Sequence, residues 1–188
     1  MSRVWFISDC HFGHKGIGKY RTQFSCHEEN DELIFENIMK TGNKRDTLWM
    51  LGDMFFDSEV LEKYGKPIAE HFAHTRLILG NHDTDNAYRL ANVGRMVELF
   101  DAVHGLKSQY GFWITHAPMH PAELRGKPCI HGHVHFATVM HERRIEHSLF
   151  NIEFVREPDP DYINVCCENV NYTPIDLQSI KGGWRSYE

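Results

Sequence analysis

The chain has 188 residues, a net charge of −6 and 41% hydrophobic residues, which is typical of a globular protein with a buried core. We therefore expect a single domain over residues 1–188. Nucleic acid is not an expected partner, because surfaces that bind it non-specifically are normally basic. No segment reaches the roughly 18 apolar residues of a membrane helix, and the N-terminal apolar run is too short for a signal peptide.

The five cysteines include one adjacent pair, Cys166 and Cys167, and their odd number does not fit a disulfide framework. We expect reduced thiols and a cytoplasmic location. The sequence carries no feature that indicates an oligomeric state.

The first half of the chain alternates predicted strands and helices, as in an α/β sheet. Short apolar runs predict strands at 4–7, 47–51 and 76–79. Helical spacing predicts helices at 28–40, 58–72 and 84–92, with Pro67 interrupting the second.

The second half contains predicted strands with few helices between them, at 96–103, 111–115, 128–130 and 162–167. A last helix is predicted to start near Asp176. These elements favour a second, more antiparallel sheet that packs on the first. Residues 136–161 show no assignable pattern and are a candidate for shaping a pocket.

Five predicted strands end in residues that can bind metals, namely Asp9 with His11, Asp53, Asn81, His116, and His133 with His135. Because ligands bind outside the carboxyl ends of strands in open α/β sheets, we expect these side chains to converge. Oxygen and imidazole ligands without thiolate suit Mn²⁺, Fe, Zn²⁺, Ni²⁺ or Co²⁺.

The number of candidate ligands exceeds the need of one ion, so two ions sharing a carboxylate are expected. Two divalent cations would outweigh the negative charge of Asp9 and Asp53. Such a site attracts an anion such as phosphate even on an acidic protein.

The order of these motifs resembles that of the calcineurin-like metallophosphoesterases. The resemblance extends from residue 9 to 135 and consists of Asp9-x-His11, Gly52-Asp53, Gly80-Asn81-His82-Asp83, His116 and Gly132-His133-x-His135. The segment from Ser8 to His14 is especially similar to small bacterial and phage members. The resemblance implies an α/β fold class, a two-sheet β-sandwich flanked by helices (αββα), in agreement with the predicted elements.

The resemblance also implies how two divalent cations would be held, with Mn²⁺ as the expected ion. One would be bound by Asp9, His11, Asp53 and His135, and the other by Asp53, Asn81, His116 and His133. Asp53 would bridge them, and Asn81 would also stabilise charge on the phosphoryl oxygens.

By the same resemblance, His82 contacts the substrate phosphate and is a candidate proton donor to the leaving oxygen. Asp57 and Asp83 both remain candidates for the carboxylate that orients it. His14 and Arg21 follow the first motif and are candidate substrate contacts, Arg21 through a bidentate contact with phosphate.

The implied activity is hydrolysis of a small or exposed phosphodiester by a metal-bridging hydroxide. A phosphomonoesterase would use the same ligands and is the first alternative. A scaffold of the same fold without catalysis is another, but its motifs would be eroded and here they are complete. A nuclease is disfavoured by the acidic charge and the lack of a basic and aromatic stripe.

Overall fold

The structure is a computed structural model that describes residues 2–148 and 151–185. One sheet contains four parallel strands, which are β1 (Val4–Ile7), β2 (Thr47–Met50), β3 (His74–Ile78) and β4 (Ala102–His104). A short strand near the C-terminus (Ile175–Asp176) pairs antiparallel with β1 and lies at the edge of this sheet.

A second sheet is formed by β5 (Leu106–Gln109), β6 (Phe112–Thr115), β7 (Cys129–His131) and a later strand (Tyr162–Asn164). Between β7 and that later strand in the sequence, β8 (Met140–Ser148) and β9 (Asn151–Pro158) form an antiparallel hairpin. The strand of the second sheet that follows the hairpin is β10 (Tyr162–Asn164), and the short edge strand of the first sheet is β11 (Ile175–Asp176).

The helices are α1 (His27–Lys40), α2 (Ser58–Val60), α3 (Lys66–His71), α4 (Ala87–Leu99) and α5 (Leu177–Arg185). A π-helical turn (Leu61–Gly65) connects α2 to α3, so the helical segment is continuous from 58 to 71. The Lys66 N–H donates to the Leu61 carbonyl. Pro67 lies just after this turn, so the expected interruption of the α-helix near Pro67 takes the form of a π-helical turn, and the helical segment does not end there.

The second sheet is less antiparallel than expected, although one of its three strand pairs is antiparallel against one of four in the first sheet. In the second sheet β10, β7 and β6 are parallel, and only β5 and β6 are antiparallel. Residues 96–99, predicted as strand, extend α4, because Met96 is buried as part of the helix face that packs on the sheet. Residues 136–161 contain the β8–β9 hairpin.

Two buried clusters account for the layers. The first packs helices against one face of the first sheet and includes Ile34, Ile38, Leu48, Ile68 and Leu77. The second lies between the sheets and includes Phe6, Trp49, Ile114 and Ile130, together with residues of α5. The predicted α/β class and the two-sheet architecture flanked by helices are confirmed.

Candidate metal centre

Most of the predicted ligands lie in loops that directly follow strands β1, β2, β6 and β7. Five of them have left-handed backbone conformations, with φ of 56° at Asp9, 54° at His11, 53° at Asp53, 71° at His133 and 48° at His135. For residues other than glycine this conformation is strained, and such strain clusters at functional sites.

Asp9, His11 and His135 form the first cluster, and their ligand atoms lie within 4.8 Å of one another. The Nε2 atoms of His11 and His135 lie 3.8 Å and 3.9 Å from Asp9 Oδ1. Asp9 Oδ1 and both ring nitrogens of His11 are buried without a hydrogen-bond partner. Buried polar atoms are normally paired, so this set fits a cation.

The other oxygen of Asp9 is already engaged. Asp9 Oδ2 contacts the Ser8 hydroxyl at 2.6 Å, the backbone N–H of His133 at 2.8 Å and the Cys166 thiol at 3.2 Å. Burial favours the protonated form, but the adjacent His11 ring, the charge of His116 and hydrogen bonds from Ser8 and His133 hold the pKa of Asp9 well below its usual range. Oδ1 therefore remains as an ionised acceptor.

Asp53, His116 and His133 form the second cluster, with Asn81 beside them. His116 Nε2 lies 3.3 Å from Asp53 Oδ2, 3.0 Å from Asn81 Oδ1 and 3.2 Å from His133 Nδ1. The other ring nitrogen of His116 lies 2.7 Å from the Leu51 carbonyl, which fixes the ring.

Three atoms that can accept a hydrogen bond, Asp53 Oδ2, Asn81 Oδ1 and His133 Nδ1, surround His116 Nε2, and a positive charge at their centre stabilises this arrangement. Without a metal that charge is a proton. Burial opposes it, but the hydrogen bond to Asp53 and the charges of Asp9 and Asp53 raise the pKa of His116 to about 9. Because metal ligands must be deprotonated, a divalent cation would replace this proton.

Two glycines let these loops approach one another. A Cβ atom on Gly80 would collide with the Asp53 carboxylate, and one on Gly132 would collide with Ser8 and the Asp9 carboxylate. The glycines before Asn81 and His133 therefore make the two clusters sterically possible.

The carboxylate that contacts His82 is neither of the two expected. His82 Nδ1 lies 2.6 Å from Asp85 Oδ2, three residues further along the chain. Asp57 instead caps α2 by accepting the Val60 N–H at 2.9 Å. Asp83 is buried and accepts the backbone N–H groups of Gly80 and Asp53.

Two physical effects separate these three carboxylates. Asp57 begins a helix, so its oxygen binds the free N–H of the first turn. Burial and the charge of Asp53 outweigh the hydrogen bonds of Asp83 and raise its pKa to about 6. Closeness in sequence to His82 applied to Asp83 as well as to Asp85, so the sequence did not separate them.

Arg21 does not face a substrate, contrary to expectation. Its side chain is 0% exposed, and its guanidinium donates to the carbonyls of Asp9 at 2.6 Å and Cys10 at 3.2 Å and to Asn30 Oδ1 at 2.8 Å. Its Nε donates to Glu168 at 2.8 Å. With these donors engaged, its bidentate contact with phosphate is not available.

Sequence reasoning missed Glu168, which contacts His135 Nδ1 at 3.0 Å. Burial favours its neutral form, but the hydrogen bond from His135 and the charge of Arg21 hold the pKa of Glu168 below its usual range. The same contact raises the pKa of His135. Glu168 follows an apolar run without a motif, so no local signal identified it.

A family model described as calcineurin-like phosphoesterase matches residues 2–173. The chain belongs to the calcineurin-like phosphoesterase family.

Relatives of this calcineurin-like phosphoesterase occur in phages and archaea. The Gene 66 protein of Mycobacterium phage L5 is 30% identical, and the match covers 77% of this chain and 85% of that protein. The uncharacterized protein MJ1445 of Methanocaldococcus jannaschii is 27% identical, with 96% and 90% covered.

A solved structure has the same fold. It is the protein of unknown function AQ665 from Aquifex aeolicus, with a TM-score of 0.66 and 24% identity. The match covers 97% of this chain and 99% of that one.

Membership in the calcineurin-like phosphoesterase family implies metal-dependent hydrolysis of phosphoesters. The donor atoms of this chain fit that chemistry, because both clusters combine imidazole nitrogens with a carboxylate and no thiolate. No helix in the described ranges combines the length and the apolar character needed to cross a membrane.

The first cluster of this phosphoesterase opens into a pocket of about 380 Å³. Its lining consists of His11, His14, Ile17, Tyr20, His82, His135, Phe136 and Glu168. Of the residues that the structure describes, no Lys or Arg is among them. Burial, followed by the charges of His11, His82 and Arg89, lowers the pKa of His14 to about 4, so His14 is neutral near pH 7.

Proposed function

We propose that this calcineurin-like phosphoesterase hydrolyses a small or exposed phosphodiester with two divalent cations, Mn²⁺ being the expected metal. The cations would be held by Asp9, His11, Asp53, Asn81, His116, His133 and His135, with Asp53 shared. The observation that carries the proposal is the pair of candidate metal clusters, each with two buried members, of which the first opens into a pocket. Unpartnered acceptors at Asp9 and His11 support a cation there.

When bound, the cations supply positive charge that lowers the pKa of a water and polarises the phosphoryl oxygens. The chain itself supplies His82, which lines the pocket and has a side chain that is 41% exposed. Asp85 accepts from the Nδ1–H of His82, so a doubly protonated His82 ring can give its Nε2 proton to the leaving oxygen and return to the neutral form. Arg89 stabilises this pair by donating to the His82 carbonyl at 2.9 Å.

The pocket wall favours a diester over a monoester. A monoester carries up to two negative charges near pH 7, and enzymes commonly bind such phosphates with Arg or Lys. Arg21 is buried, and His14 is neutral, so neither supplies that charge. A diester carries one negative charge and a second organic group, for which Ile17, Tyr20 and Phe136 offer apolar contact.

The test is an assay of metal-stripped protein with and without Mn²⁺ on bis-p-nitrophenyl phosphate and on p-nitrophenyl phosphate. We expect Mn²⁺-dependent turnover with the diester preferred. Asp53→Asn should abolish it, because Asp53 would contact both cations. His27→Gln, a histidine at the start of α1, is the matched control and should retain wild-type turnover.

The role of His82 is tested with two leaving groups. Nitrophenolate leaves without a proton, whereas an alkoxide needs one, so His82→Ala should lose roughly 10²-fold or more on a diester with an alkoxide leaving group and much less on the nitrophenyl diester. Asp85→Asn should show the same dependence more weakly. Equal losses on both substrates would contradict proton donation by His82, and preference for the monoester would contradict the diester assignment.

A further inference from the structure

Glu168 and Arg21 lie behind the first cluster, and no motif includes either residue. We infer that they form a positioning pair for the cation position at Asp9, His11 and His135. The affinity of this position, and not that of the second one, depends on the pair. This inference rests on the proposed two-metal function and names the part of the chain that holds half of that site together.

The contact with His135 sets which ring nitrogen can bind a metal. The Glu168 side chain is only 2% exposed, and its Oε1 atom lies 3.0 Å from His135 Nδ1. Because an ionised carboxylate can only accept, Nδ1 carries the proton and Nε2 carries the lone pair. Nε2 faces Asp9 Oδ1 at 3.9 Å, so the contact orients His135 as a ligand.

Arg21 connects this contact to the other two ligands. Its Nε donates to the same Glu168 oxygen at 2.8 Å, across 147 positions of sequence. Its remaining contacts include the carbonyls of Asp9 and Cys10, which lie in the loop between the two left-handed residues Asp9 and His11. One guanidinium therefore holds the loop that carries two ligands and the carboxylate that orients the third.

The second cluster has supports that do not involve Glu168 or Arg21, and its contacts with the first cluster are made by backbone groups, such as the His133 N–H to Asp9 Oδ2 at 2.8 Å and the His11 N–H to the Asp53 carbonyl at 3.0 Å. His116 is held by the Leu51 carbonyl at 2.7 Å, and Asp53 Oδ1 accepts the His82 backbone N–H at 2.9 Å. Among the described contacts, none joins Asp53, His116 or His133 to Glu168 or Arg21. Removal of the positioning pair should therefore weaken one cation position and leave the other.

The test is calorimetric titration of metal-stripped protein with Mn²⁺, with free Mn²⁺ followed by electron paramagnetic resonance. We expect two bound ions in the wild type. Glu168→Ala should keep one ion at wild-type affinity and bind the other about 10–100-fold more weakly, the usual cost of losing such a partner. Glu168→Gln retains an acceptor for His135, so it should recover part of that loss. The affinity of Arg21→Lys for the weakened ion should lie between those of the two Glu168 variants.

A matched control exists on the β8–β9 hairpin. Glu157 accepts from Arg143 at 2.7 Å and contacts His141 at 3.3 Å, which repeats the same three residue types at a partly exposed place. Glu157→Gln should bind two ions with wild-type affinity. Circular dichroism of each variant checks the fold, and if Glu168→Ala does not fold, the isosteric Glu168→Gln decides.

Two wild-type affinities in a folded Glu168 variant would overturn the inference and leave the proposed function intact. Equal weakening of both ions would also overturn it, because the effect would then be a general loss of structure. A wild-type protein that binds no Mn²⁺ would contradict the proposed function, and the inference with it.

Discussion

At the residue scale, the strained ligands are held by hydrogen bonds between their own loops. The Asp9 N–H donates to the Gly52 carbonyl at 3.1 Å, and the His11 N–H donates to the Asp53 carbonyl at 3.0 Å. Left-handed residues other than glycine cost about 1–3 kcal/mol each and persist only where their surroundings determine them. Here the loops after β1 and β2 stabilise each other, so Asp9, His11 and Asp53 keep their positions together.

Gly80→Ala tests how closely these loops must approach. The added methyl group would collide with the Asp53 carboxylate, so we expect a loss of about 1–3 kcal/mol in unfolding free energy and weaker Mn²⁺ binding. Urea unfolding and Mn²⁺ titration measure the two effects.

Gly94→Ala is the control, because a methyl group there meets no atom within 4 Å and lies in helix α4. This variant should gain about 0.5–1 kcal/mol, since alanine is the better helix former. Identical behaviour of the two variants would contradict a steric role for Gly80.

His104 makes stability depend on pH at a place outside the site. It stacks on Trp49 with ring centres 5.9 Å apart, and its Nε2 atom is buried without a partner. Burial, and then the charges of Lys107 and Arg76, lower the pKa of His104 below 6.5. Below that pH the unfolded chain takes up a proton that the folded protein does not, so stability falls as the pH falls toward the folded pKa.

His104→Phe keeps the ring contact and removes this titration. We expect its melting temperature, relative to wild type, to be higher at about pH 5.5 than at about pH 7.5. Calorimetry at both pH values measures the difference. If the difference in melting temperature between the variant and the wild type is the same at both pH values, His104 has the same pKa in the folded and the unfolded protein.

At the scale of elements, the helical segment from 58 to 71 depends on its start. Asp57 accepts the Val60 N–H and satisfies one of the free donors of the first turn. The irregular turn at Leu61–Gly65 follows directly and shifts the hydrogen bonding by one residue before Pro67. The cap therefore stabilises a segment whose own hydrogen bonds are irregular.

Asp57→Ala separates capping from catalysis. We expect a loss of about 1 kcal/mol in unfolding free energy, with Mn²⁺ binding and turnover of a diester with an alkoxide leaving group unchanged. Asp85→Asn should lower turnover of that diester and leave the unfolding free energy unchanged, because Asp85 contacts His82 and caps no helix. A loss of turnover in Asp57→Ala as large as in Asp85→Asn would contradict this division.

At the scale of the whole molecule, the cluster between the sheets connects the two halves of the proposed site. Phe6 and Trp49 of the first sheet pack in one cluster with Ile114 and Ile130 of the second. The loops after β1 and β2 carry Asp9 and Asp53, and those after β6 and β7 carry His116 and His133. Packing between the sheets thus brings these ligands to one end of the sandwich.

Ile130→Ala tests this packing, since Ile130 is 0% exposed. We expect a loss of about 2–5 kcal/mol in urea unfolding, with the tryptophan fluorescence, to which Trp49 of the first sheet and Trp113 of the second contribute, changing in one transition. Phe154→Ala, at a side chain that is 64% exposed, should change stability by less than about 0.5 kcal/mol. Two separate transitions in the wild type would contradict coupling between the sheets.

The sequence by itself determined the family, the α/β class and most of the strands, because apolar periodicity and the residues that end each strand are local properties. It also indicated which donor types follow β1, β2, β6 and β7. The second sheet has one antiparallel pair, fewer than expected, since Gly, Pro and Asn between strands do not reveal strand direction.

Only the tertiary structure decided which partners meet. Arg21 and Glu168 are far apart in sequence and come together behind His135, which turns an expected substrate contact into a buried support. Asp85, and neither Asp57 nor Asp83, lies against His82 because the chain turns after Asn81. Such contacts follow from how loops and sheets pack, and packing between distant segments leaves no periodic pattern in the sequence.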